Sequence, residues 1–398
     1  MSEELSVKEK LKILQNTAIK DLEKKFGENS YFFGDKKIPK VPLVCSSGSL
    51  SLDTALCIGG FPEGRIIEIG GQESSGKSTL TLINIAEVQK SDKLCAYIDA
   101  EQSFDPVWAA RMGVDVDKLL VTQPDTAEEA FEQLYAILDS GVVSYIVVDS
   151  TNSLIPKRLF EGEVGDASMG LAARILSQEL PKVRTKCTNT KCTVVFLSQV
   201  RSKIGGYGNP DVIGIGNAMK FYASIRIKTS KAELEKDDGD QGQSSVDVIM
   251  NIFKNKVGVP YKKASFTLLT GLDGKYGIDN IKEIIEYAVR YEIVKKAGAW
   301  FTFESDRFQG MANIRKYFEE NPSQLNRIKS IVMEKLQKER EELQTIAANT
   351  NFDNELDKAI EENSEGKTRK RRTKETVEEA PVVLDESKIS EGEVVAES

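Results

Sequence analysis

The chain has 398 residues, 40% hydrophobic and 29% charged, enough for one large α/β core with a smaller unit and a tail. Net charge is −8, but residues 375–398 carry eight acidic side chains against one lysine, so the remainder is close to neutral and a nucleic-acid partner is not excluded. Histidine is absent, which excludes histidine triads and histidine metal sites and leaves any general base to a carboxylate.

No run approaches the ~20 apolar residues of a membrane span, and the N-terminus M-S-E-E-L-S has no apolar signal core. A soluble, cytoplasmic protein with no membrane partner is expected. Cysteines 45, 57, 95, 187 and 192 are odd in number and irregular in spacing, which predicts inert or buried thiols.

In residues 6–26, Leu11, Leu14, Ala18, Leu22 and Phe26 recur every three or four positions and predict one helix with a narrow apolar stripe. Gly27 to Pro42 reads as a linker, so that helix docks on its own core or on a neighbouring copy. From Cys45 to Gly271, short β-branched runs alternate with helical stretches, the rhythm of a parallel sheet. The clearest strands are Ile66–Ile69, Leu94–Ile98, Ser144–Val148 and Thr193–Leu197. They deliver Asp99, Asp149 and Ser198-Gln199 to carboxyl ends, where open α/β sheets bind ligands.

Beyond Gly274 a smaller unit shows helical periodicity at Ile281, Ile284, Ile285 and Ala288, then at Leu325, Ile328, Val332 and Leu336. From about Asn349 charge dominates and disorder is expected. Within it Lys367 to Lys374 has six basic residues in eight, directly before the acidic end. The expected organisation is 1–44 N-terminal helix and linker, 45–274 core, 275–348 small C-terminal domain and 349–398 tail.

Gly71 to Ser78 read G-Q-E-S-S-G-K-S, a complete phosphate-binding loop between the apolar run R-I-I-E-I-G and a helix-prone stretch. The loop (Gly71, Glu73, Ser74, Ser75, Gly76, Lys77, Ser78) and the adjoining Thr79 are the candidate nucleotide site. Backbone amides and Lys77 suit the β and γ phosphates of ATP, and the Ser78 hydroxyl suits a Mg²⁺ position. Asp149, ending Y-I-V-V-D, is the natural second metal-side group. Glu101 in I-D-A-E is the candidate for activating water, with Asp99 in support, and the Gln199 amide can report loss of the γ-phosphate.

After Gln199 runs R-S-K-I-G-G-Y-G-N-P-D-V-I-G-I-G-N, glycine-rich, basic at Arg201 and Lys203 and aromatic at Tyr207. That composition suits single-stranded nucleic acid, while an active-site lid is the competing reading.

Together these residues resemble the bacterial RecA recombinase family across roughly Ser46 to Ala312. The segments S-S-G-S-L-S-L-D-T-A-L, Q-E-S-S-G-K-S-T-L-T-L, Y-I-D-A-E, Q-P-D-T-A-E-E-A, V-V-D-S, E-G-E-V-G-D-A-S-M-G-L-A-A-R, K-F-Y-A-S-I-R, K-N-K-V-G-V-P-Y-K and K-A-G-A-W-F follow that family's order. The resemblance implies an α/β RecA-type ATPase core with an N-terminal helical arm and a small α/β C-terminal domain. It also implies an ATP-dependent homo-filament on single-stranded DNA that exchanges strands with a homologous duplex. By the same resemblance Asp105 and Trp108 contact adenine. Lys254 and Lys256 reach the neighbouring protomer's ATP. Met169, Gly170 and Arg174 belong to the first DNA loop, and Arg201, Gly216 and Asn217 to the second.

Three departures stand out. Where the second loop usually ends T-G-G-N this chain has Gly214-Ile215-Gly216-Asn217, and a β-branched residue adopts positive φ poorly, so altered backbone contacts are expected. Basic side chains of the strand before K-N-K are replaced by Ile249 and Asn251, so capture of the duplex is weaker or uses other residues. A tyrosine expected near the nucleotide aligns with Thr270. A filament-forming mediator with weak strand exchange, or a RecA-fold helicase or motor, are the alternatives.

Overall fold

In the computed structural model the described residues are 12–26, 42–162, 170–202, 211–231, 245–271 and 274–349. The chain divides into two compact units after Gln337. The basic run at 367–374 and the acidic end lie outside the described residues.

At the N-terminus a π-helical turn, Gln15–Ile19, leads into α1 (Lys20–Phe26). The described residues of the expected helix are helical throughout but carry this π turn. A π turn inserts a residue and rotates the register, so Ile19 becomes the buried position at 8% exposure, while Leu14 and Leu22 of the expected stripe stay 44% and 38% exposed. Leu11 lies outside the described residues.

Strand β1 (Leu43–Cys45) precedes α2 (Leu50–Ala55) and pairs with β2 (Phe61–Pro62). The Ser49 side chain caps α2 by accepting from the Leu52 amide. There follow β3 (Ile66–Gly71), α3 (Lys77–Gln89), β4 (Leu94–Asp99), α4 (Pro106–Arg111), β5 (Leu119–Thr122), α5 (Ala127–Asp139) and β6 (Val143–Asp149). Then come α6 (Lys157–Phe160), α7 (Leu171–Thr190), β7 (Thr193–Ser202), β8 (Asp211–Ile213), α8 (Ala218–Tyr222), β9 (Ile225–Lys231), β10 (Ser245–Asn255), β11 (Lys262–Thr270) and β12 (Tyr276–Ile278).

The large sheet runs β12-β11-β10-β9-β3-β7-β6-β4-β5. From β9 to β5 all pairs are parallel, and the near-continuous Val and Ile of β3, β6 and β7 are buried on both faces. One face packs Ile67, Ile69, Leu80, Ile85 and Tyr145, the other Ile66, Ile146, Phe131, Leu180 and Phe196. The expected parallel sheet is therefore present at the centre, but β10, β11 and β12 add an antiparallel meander and make the whole sheet mixed.

The smaller C-terminal cluster is built by α9 (Asn280–Arg290), β13 (Lys295–Ala297), β14 (Trp300–Phe303), β15 (Asp306–Gln309), α10 (Gly310–Glu320) and α11 (Pro322–Asn349). The predicted apolar positions Ile284, Ile285, Ala288, Ile328, Val332 and Leu336 are buried together with Phe301, Phe303 and Phe318. Glu283 ties this cluster to the core. It accepts from the Ser49 hydroxyl at 2.6 Å and from the Leu50 and Ser51 amides at 3.0 and 3.1 Å. No helix among the described residues is long and apolar enough to cross a membrane.

Candidate functional site

The carboxyl ends of four adjacent parallel strands form the site. In register, Gly71 of β3 stands beside Gln199 of β7, and Asp99 of β4 beside Asp149 of β6. The loop leaving β3 is tightly confined. A Cβ on Gly71 would lie 2.0 Å from Thr229 Oγ1 and 2.5 Å from Ser75 Oγ, so only glycine fits. Gly76 at φ 84° opens α3, whose N-terminal amides face the loop. The Lys77 ammonium donates to the carbonyls of Gly71 at 3.1 Å and Gln72 at 2.7 Å. Burial lowers its pKa, and Asp149, Glu101 and Glu73 oppose that shift.

Asp149 is 4% exposed, and its Oδ2 accepts from the Ser78 hydroxyl at 2.7 Å and from the Tyr97 hydroxyl at 2.6 Å. Burial raises its pKa, while Tyr97 and Ser78 pull it back toward the ionised form. A hydroxyl and a buried carboxylate side by side are hard oxygen donors that fit a Mg²⁺ carried mainly by phosphate and water. No group of three acidic, cysteine or histidine side chains among the described residues could hold a metal without such help. Sequence reasoning missed Tyr97, although it opens the Y-I-D-A-E segment.

The Asp149 carbonyl accepts from the amides of Ala100 at 2.8 Å and Glu101 at 3.1 Å, which seats Glu101 against the metal-side strand. Glu101 Oε1 accepts from Ser150 Oγ at 2.6 Å, Ser153 Oγ at 3.3 Å and Gln199 Nε2 at 3.3 Å. The predicted hydrolytic carboxylate and the predicted γ-phosphate reporter thus touch. Asp99 is 1% exposed and supports this corner by accepting from the Phe104 amide and Gln123 Nε2, both at 2.9 Å.

Asp105 caps α4 with Pro106 at the first helical position, accepting from the amides of Val107 at 2.8 Å and Trp108 at 3.1 Å. Trp108 meets Tyr276 of β12 edge to face with centroids 5.9 Å apart, and Arg111 covers Tyr276 at 5.2 Å. An aromatic neighbour of Trp108 thus comes from β12. Tyr276 lies within the short segment K-Y-G-I, which has no periodicity to mark it.

Of the residues expected to contact DNA, Gly170 (φ 83°) caps α7 and Arg174 lies exposed one turn on, while Met169 and Lys203 fall outside the described residues. The Arg201 backbone pairs with Val212, and Asn217 caps α8. At Ile215 the structure shows how the β-branched residue is accommodated. Gly214 (φ 71°) and Gly216 (φ 70°) take the left-handed turns on either side, Ile215 stays out of that region, and its side chain packs on the core.

Lys254 sits on β10 just past a register shift between Ile252 and Lys254, and donates to the Lys220 carbonyl at 2.5 Å. Its pKa is lowered to about 8 by burial, Lys256 and Arg226, with Glu68 opposing. Lys256 is exposed. Ile249 and Asn251 are only half buried, and Asn251 has Lys228 and Lys263 in register on the strands either side. Basic charge thus stands beside the positions that lack it.

The RecA N-terminal domain family matches residues 12–274, and the RecA C-terminal domain family matches residues 282–337. Protein RecA of Acinetobacter baylyi is 43% identical over 330 residues, covering 82% of this chain and 92% of that protein. Protein RecA of Acinetobacter baumannii and of Clostridium novyi are each 44% identical over 330 residues with the same coverage. With both domain families matched in order and relatives aligned over most of its length, the chain belongs to the RecA family of recombination and repair proteins.

Proposed function

We propose that this protein is a DNA-dependent ATPase that polymerises with ATP on single-stranded DNA and pairs it with a homologous duplex. The observation that carries the reading is the contact between Glu101 and Gln199 at 3.3 Å, beside a loop shaped for phosphates. Lys77 and the loop amides bind and orient the phosphates, and Glu101 takes a proton from the attacking water. Gln199 holds Glu101 through its side chain, and its backbone leads into the second DNA loop. A bound Mg²⁺, held by Ser78 and Asp149, would neutralise charge on the β and γ phosphates. Trp108 and Tyr276 supply aromatic surface for the base.

Contact between copies is supported by two exposed apolar surfaces. One is the N-terminal helix with Ile13, Leu14 and Leu22 at 50%, 44% and 38% exposure. The other is a groove of about 410 Å³ lined by Leu94, Leu120, Ile137 and Val142. A head-to-tail assembly needs two different patches of this kind. Lys254 and Lys256 then act on the neighbour's ATP, and Lys228 and Lys263 hold the incoming duplex. The mediator reading rests on Ile249 and Asn251, and strand exchange with intact ATPase separates the two.

The test is ATP hydrolysis with and without single-stranded DNA, beside Glu101→Gln. Strong stimulation in the wild type, and a loss of about 10²- to 10⁴-fold in the variant with ATP binding kept, is expected. Hydrolysis indifferent to DNA would move the assignment to a motor or regulatory ATPase.

A further inference from the structure

A second charged cluster lies under the site without touching any residue assigned to the nucleotide. Glu68, in the middle of β3, is fully buried and ion-paired with Arg226, its register partner on β9, itself only 6% exposed. Burying such a pair is costly unless the remaining polar atoms are also satisfied, so its place at the centre of the sheet calls for a reason.

Three lines of contact leave it. Glu68 Oε1 accepts from Ser198 Oγ at 3.1 Å, and Ser198 Oγ lies 2.9 Å from Thr151 Oγ1. Next to Thr151, Asn152 Oδ1 accepts the Gln199 amide at 2.8 Å, so this line ends on the residue that holds Glu101. In the second line, Gly214 rests directly on Glu68 and Ser198. A Cβ there would lie 2.9 Å from Glu68 Oε1 and 3.1 Å from Ser198 Oγ, and the Gly214 amide donates to the Gln199 carbonyl at 3.0 Å. Gly216 continues this line, since its Cβ would meet Ala173 Cβ at 2.9 Å at the exit of the first DNA loop. In the third line, the Arg226 guanidinium covers the Phe253 ring at 4.7 Å. Phe253 is the extra residue of the β10 bulge, and a bulge re-aims the side chain that follows it, here Lys254.

We propose that the buried Glu68–Arg226 pair is a positioning device: it joins the second-loop exit at Gly214 to the strand end at Gln199 and to the bulge that aims Lys254. DNA in the loop thereby sets the rate of hydrolysis through residues that never touch ATP. The inference rests on the proposed DNA-dependent ATPase reading. It treats Glu68 as a positioning residue and assigns it no part in the chemistry.

Removing one member alone would leave an unpaired buried charge and endanger folding. The test therefore uses the double variant Glu68→Gln/Arg226→Gln and, separately, Ser198→Ala, which leaves every buried charge paired. For each, kcat and the KM for ATP are measured with and without single-stranded DNA, together with the melting temperature. The expected result is a DNA-free rate and KM within about twofold of wild type, while the stimulation ratio falls about tenfold in the double variant and several-fold in Ser198→Ala. Combining all three changes should add little to the double variant, because one relay is being cut. A wild-type stimulation ratio in folded variants overturns the inference, as does an equal fall of both rates, which would mark a purely structural pair. Ser198→Ala alone carries the test if the double variant does not fold. Failure of the underlying reading shows differently, as a wild-type protein that DNA does not stimulate.

Discussion

Tyr97→Phe isolates one hydrogen bond at the proposed metal-side carboxylate. The Tyr97 ring is 4% exposed and packs against Phe104 with centroids 5.2 Å apart, so the variant removes only the hydroxyl that donates to Asp149 Oδ2 at 2.6 Å. A hydrogen bond to a charged acceptor contributes about 1.5–3 kcal/mol net. Ser78 still reaches the same oxygen at 2.7 Å, so the lower end applies. At about 1.4 kcal/mol per factor of ten, binding of a slowly hydrolysed ATP analogue with Mg²⁺ should weaken about tenfold. The retained ring leaves no cavity, and the melting temperature should fall by only a few degrees. Calorimetric titration at fixed Mg²⁺ measures the affinity. A dissociation constant within twofold of wild type would refute the reasoning, because Asp149 would then be held without its tyrosine.

Burial raises the Glu283 pKa to about 7 from 4.5, against donors from Ser49, Leu50 and Ser51. A carboxyl raised in the fold contributes stability fully below its unfolded pKa and loses it as pH rises through 7. Roughly 3 kcal/mol should therefore disappear between about pH 4.5 and 8 in wild type, and Glu283→Gln should flatten that slope in denaturant titrations. Equal slopes would count against it. Leu120→Glu with Val142→Glu, at positions 49% and 63% exposed, should leave the melting temperature unchanged and abolish assembly by light scattering. Unaltered assembly would remove the groove from the proposed contact. Lys228→Ala with Lys263→Ala should weaken duplex capture and lower the salt slope by about 1 to 2. An unchanged slope would return the problem to Ile249 and Asn251.

The proposed nucleotide site was legible because each of its residues carries a local signal. Gly71 to Ser78, Asp149, Glu101 and Gln199 each sit at the end of an apolar run, and a parallel sheet brings such ends together. The edge-to-face contact of Trp108 with Tyr276 was not foreseen, since Tyr276 lies on an antiparallel strand that the periodicity did not reveal. At the N-terminus the stripe left open which side chain the fold buries. A single π turn at Gln15–Ile19 shifts which side chain is buried, and nothing in the apolar spacing announces it.

The sequence by itself determined the phosphate loop, the strand-end carboxylates and the family, because chain neighbours and short spacings encode them. Only the tertiary structure decided that Tyr97 braces Asp149, that Gly214 and Gly216 spare Ile215 a left-handed turn, and that Glu68 and Arg226 meet beneath the DNA loop. The Tyr97–Asp149 and Glu68–Arg226 pairings join residues 52 and 158 positions apart. Their partners are chosen by strand order and register, which no local pattern specifies.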